Sequence, residues 1–137
     1  MPIDLEFVFD GTGVIYCCDG QLTPQHFFDA NDRVLASPDR LAKLRFAIID
    51  LTSMKPLAFG PADMDRIVWQ DRHIASYLPS GLIVALVSPQ DIGFGLARMW
   101  EASIEGLDWE TMAFRSRQEA DAWIRAQLKA KHRLDLT

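Results

Sequence analysis

Long apolar runs, a basic excess and a workable cysteine pair are all missing from this sequence. No run approaches the roughly 20 apolar residues that a membrane-spanning helix needs, and Met1-Pro2-Ile3-Asp4 places no basic region ahead of an apolar stretch. An integral membrane segment is therefore not expected, and the expected location is the cytoplasm. The formal net charge is -5, whereas a domain that tracks phosphates needs a basic face to release counterions, so a nucleic-acid partner is not expected either. The cations Arg125, Lys129, Lys131 and Arg133 fit the last turn of a helix, where the macrodipole favours positive charge. Cys17 and Cys18 are adjacent. On a strand they would point to opposite faces, so a bridge between them would be strained and both are expected to be reduced.

The familiar chemistries are missing as well. His26, His73 and His132 share no metal-ligand spacing with one another or with the cysteines. Gly93-Phe94-Gly95 is half of a dinucleotide fingerprint, but Arg98 stands at the third glycine position and the glycines fall inside a helix pattern, where a pyrophosphate could not reach the turn. No Gly-x-Ser-x-Gly, P-loop or nucleophile-base spacing occurs. The expectation is a protein that is not an enzyme and holds neither metal nor cofactor.

What the sequence does have is the composition of a folded globular protein, with 49% apolar and 24% charged residues. Its 137 residues are read as one domain. Four apolar runs, Gly13 to Cys18, Arg45 to Leu51, Leu82 to Val87 and Thr111 to Phe114, each lead into a segment of helical spacing. Leu5 to Phe9 and Val14 to Cys18 flank Asp10-Gly11-Thr12-Gly13 and read as an opening hairpin. Thr23-Pro24 starts a helix that ends near Ser37-Pro38, and Gly60-Pro61 starts one that stops before Pro79. Ser88-Pro89-Gln90-Asp91 reads as an N-cap with proline at the first position, and Ser116 to Glu119 as a capping box. In the helix after Ser88 the expected buried side is Ile92, Leu96, Met99, Trp100 and Ser103, and Glu110 to Phe114 is an expected edge strand.

Strands alternating with helices predict an α/β fold: a mainly parallel sheet of about five strands, antiparallel at the first, with about four helices. One layer of helices over the sheet is expected, although Phe46 to Ile49, apolar throughout, reads as a strand covered on both faces.

The element order resembles the SpoIIAA-like fold of the STAS domains. Ile49-Asp50-Leu51, the run Gly93 to Glu101, and Phe114-Arg115 followed by Glu119-Ala120 and Ala122-Trp123 resemble the small bacterial STAS-like proteins more closely. Anti-sigma-factor antagonists of that superfamily would imply a phosphorylatable serine in an Asp-Ser-Ser-Gly turn. This chain has Leu57-Ala58-Phe59-Gly60-Pro61 there, leaving Thr52 and Ser53 as displaced hydroxyls. Fold-level kinship to the CRAL-TRIO lipid-transfer proteins implies an apolar small molecule as a ligand class.

Candidate sites follow from position. Loops at the C-terminal ends of parallel strands bind ligands in open α/β sheets, which singles out Asp50, Thr52, Ser53, Lys55 and Phe59, with Pro56-Leu57-Ala58 as an apolar lip or protein contact. At about 100° per residue Asp71 falls in the middle of the stripe Met64, Ile67, Val68, Ile74 and Ala75. A buried acid there must pair or take a raised pKa. Trp69, His73 and Tyr77 line the opposite side, and Phe94, Arg98 and Glu101 form a second group off the apolar face. Aromatics and arginine are enriched at interface hot spots. The first expectation is a regulatory or protein-interaction module that binds a partner or a second copy of itself. The alternative is a carrier or sensor for an apolar small molecule, held between the sheet and the helices near Asp50 to Phe59.

Overall fold

The computed structural model describes residues 2–55 and 59–136. Among them five strands, β1 (Ile3–Val8), β2 (Gly13–Gly20), β3 (Phe46–Met54), β4 (Leu82–Val87) and β5 (Trp109–Phe114), form one sheet in the order β1-β2-β3-β4-β5. β1 is antiparallel to β2, and every later pair is parallel. Five helices join them: α1 (Pro24–Leu35), α2 (Pro38–Lys43), α3 (Pro61–Ile74), α4 (Asp91–Ser103) and α5 (Arg117–His132). The mainly parallel α/β architecture is thus as expected, with β5 on the edge.

Side chains alternate strictly across β4. Leu82, Val84 and Leu86 join the core under α1, α3 and α4, while Ile83, Ala85 and Val87 join a second core under α5. All six are buried. The three crossovers β2-β3, β3-β4 and β4-β5 share one hand and lay their helices on one face. A single helix layer is therefore only half of the arrangement. Once β5 ends, the chain returns over the bare opposite face, where Ala120, Ile124 and Leu128 of α5 cover Ile15, Phe46, Ile48 and Ile83. Cys17 and Cys18 fall on opposite faces and are both free.

Helix starts follow local chemistry, with one shift. Ser116 Oγ accepts from the Glu119 backbone N–H at 3.2 Å, as a capping residue does, and the Ser116 hydroxyl donates to Glu119 Oε1 at 3.1 Å. At α4 the cap is Gln90, two residues later than the Ser88-Pro89 signal placed it. Ser88 is instead buried at the end of the strand, against Gly93, where a Cβ would lie 2.1 Å from Ser88 Oγ. That close approach turns Gly93, Ala97 and Trp100 toward the core and leaves Ile92 (58% exposed) and Met99 (45% exposed) on the surface, against expectation. Short α2, which opens on Ser37-Pro38 where the sequence signalled only an end, has no buried residue.

Candidate functional site: an apolar cavity with a buried carboxyl

Met64, Ile67 and Asp71 share the inner face of α3, at spacings of three and four. Asp71 is 8% exposed. Its Oδ2 accepts a 2.7 Å hydrogen bond from Trp100 Nε1 of α4, the residue that the close packing of Gly93 and Ala97 aims inward. Arg72, next along α3, fixes the register of the two helices by donating to the Ser103 and Glu105 carbonyls at 2.7 and 3.2 Å. Burial pushes the Asp71 carboxyl from 3.8 up to about 7, against the smaller lowering effect of the Trp100 hydrogen bond.

A second polar chain runs beside it. Tyr16 of β2 donates through its hydroxyl to Asn31 Oδ1 of α1, and Asn31 Nδ2 donates to Gln70 Oε1 of α3, each at 2.7 Å. Burial, and then the nearby Asp71 charge, raise the Tyr16 phenol far above its ordinary range, so it stays a donor.

Between these groups the core is incompletely filled. A cavity of about 110 Å3 lies between the sheet and α1, α3 and α4. Alanine faces it from both layers, Ala47 from β3 and Ala97 from α4, where larger side chains would close it. Its remaining wall is chiefly aliphatic and aromatic, with Val84, Ile67 and Trp109 typical, and Tyr16, Asn31 and Asp71 bring polar side chains to it. Dry apolar cavities of about 150 Å3 bind benzene or xenon, so the space is in the range of a small ring.

The residues singled out from sequence are dispersed relative to this cavity. Asp50 points to the α5 side, where its Oδ1 accepts from the Thr52 backbone N–H at 3.0 Å and from the Thr52 hydroxyl, while Arg117 approaches Oδ2 at 3.8 Å. It satisfies a strand end. Thr52 and Ser53 are exposed, and neither they nor Asp50 line the cavity. Phe59 does line it, half-buried, together with Leu51 and Met54 of β3. Pro56, Leu57 and Ala58 lie outside the described residues. The strand-end rule has little purchase here because strand order never reverses, and the crevice it describes forms where order reverses.

The two aromatic groups also differ from one another. Trp69 is 62% exposed and stacked on His73 with ring centroids 3.8 Å apart, and Tyr77, 72% exposed, sits on the 3-10 turn Ala75–Tyr77 beyond α3. Phe94 is half-buried beneath the Arg115 guanidinium, 4.2 Å from its ring, while exposed Arg98 pairs with Glu101 at 3.8 Å. Tyr16, Asn31 and Gln70 were not singled out from sequence, and no local signal marks them: a polar residue on a strand or helix gains meaning only from what it meets across layers.

No group of three or more His, Cys, Asp or Glu among the described residues is gathered so as to hold a metal ion. Burial first, then neighbouring carboxylates, hold the Cys17 and Cys18 thiols above 9.0, so neither is a ready thiolate. No helix among the described residues is long and apolar enough to cross a membrane. No family model, curated protein or solved structure matches the chain.

Proposed function

We propose that this chain is a non-enzymatic carrier or sensor that binds a small apolar molecule between its sheet and the α1, α3 and α4 layer. The apolar cavity of about 110 Å3 carries the reading. The resemblance to STAS-like proteins, and through them to lipid-transfer folds, points to the same ligand class, and the shortage of paired acids, bases or thiolates favours binding over turnover. Toluene and xenon are suitable probes of the space. Saturable shifts of core methyl resonances around Ala47, Val84 and Ala97, abolished by Ala47→Leu, are the expected result. Shifts confined to the surface, or persisting unchanged in Ala47→Leu, would count against it.

A second reading, docking of a partner or a second copy, is favoured by the exposure of Trp69 and Tyr77, with Ile92 and Met99 on the neighbouring helix. Sedimentation equilibrium of the wild-type chain and Trp69→Ala tests self-association. A concentration-dependent dimer that dissociates in the variant is expected on this reading, and a monomer at all concentrations removes self-association from it.

A further inference from the structure

The polar groups around the cavity are unequally engaged. The Tyr16 hydroxyl donates its hydrogen bond to Asn31, and Asn31 in turn donates to Gln70. Asp71 differs, since Oδ2 accepts from Trp100 while Oδ1 has no hydrogen-bond partner among the described residues. A side chain buried to this degree, lining an otherwise aliphatic and aromatic space, offers one acceptor to whatever occupies that space.

Resting on the small-molecule reading above, we propose that the cavity selects a ring-sized apolar molecule bearing a single hydroxyl, with phenol as its simplest representative, whose O–H donates to Asp71 Oδ1. Volume sets the body of the ligand, because about 110 Å3 suits a benzene-sized ring and is too small for a long acyl chain. Hydrogen-bond arithmetic sets its polar end. A hydroxyl brings one donor to one vacant acceptor. An ammonium brings three donors and a charge, and must shed more water to enter a space whose wall is chiefly aliphatic and aromatic. A carboxylate or phosphate would set negative charge against Asp71.

Phenol and toluene separate this proposal from the broader one, being nearly equal in shape. In a cavity without an acceptor toluene binds better, because the phenol hydroxyl must be stripped of water for nothing in return. NMR titrations at about pH 8 place Asp71, raised to about 7, mostly in its ionised form. There phenol is expected to bind the wild-type chain roughly tenfold more tightly than toluene, as a charge-assisted hydrogen bond allows. Asp71→Asn, which keeps the shape but replaces the charged acceptor by an N–H donor, is expected to lose most of that tenfold preference while retaining toluene binding. Toluene binding equal to or tighter than phenol in the wild-type chain, or a phenol preference that survives undiminished in Asp71→Asn, overturns the hydroxyl proposal and leaves the cavity reading standing. Failure of both probes to bind overturns both. The wild-type rank order decides the matter even where the variant does not fold.

Discussion

Replacing Asp71 by Asn should change how stability depends on pH in a direction opposite to that of most carboxylates. In the unfolded chain this group loses its proton near 3.8, and in the folded chain near 7. Between those values the folded state holds one more proton than the unfolded state, so stability falls as pH rises. The loss is absent below the lower value, grows through the window and is complete above the upper one. At about 1.4 kcal/mol per pH unit it reaches about 4 kcal/mol. Asn does not titrate, and contributions from groups away from this pocket cancel in the difference between the two proteins. Tyr16, which faces Asp71, and the Cys18 thiol beside that tyrosine stay protonated throughout the window. The unfolding free energy of the wild-type chain minus that of Asp71→Asn, from urea denaturation between pH 4 and pH 8, should therefore fall by about 4 kcal/mol across the series. A difference that stays flat refutes the claim that this carboxyl is ionised at a cost inside the core.

Trp100→Phe keeps a ring but removes the N–H that Asp71 Oδ2 accepts. Denaturation should show a loss of about 1–3 kcal/mol, and the Asp71 titration midpoint, followed by carboxyl carbon chemical shift, should move further upward. Gly93→Ala drives a methyl to 2.1 Å from Ser88 Oγ. A loss of about 1–3 kcal/mol is expected in chemical denaturation, with partial recovery in the double variant Gly93→Ala, Ser88→Gly.

The architecture was legible because periodicity reports it directly. Phe46 to Ile49, apolar throughout, announced a strand covered on both faces, and the second helix layer that covers it was already implied by that run. The α4 face was misread because Ile92 and Met99 look like core residues by hydropathy. Only the tertiary contact between Gly93 and Ser88 shows that the helix presents its smallest residues inward. Asp71 was legible as an interruption of a stripe. Its partner was not, since Trp100 lies 29 positions along the chain on a different helix. The Tyr16, Asn31 and Gln70 chain crosses β2, α1 and α3, and no window of sequence contains it.

Because strand order follows chain order, each strand leaving the ribosome meets an edge already in place, and assembly can proceed in the direction of synthesis. The exception is the face that waits for α5. Phe46, Ile48 and Ile83 are laid down early and sheltered last, so a nascent polypeptide halted before Arg117 would present a bare apolar sheet to its surroundings. That interval, rather than the finished fold, is where a chaperone would have most to hold.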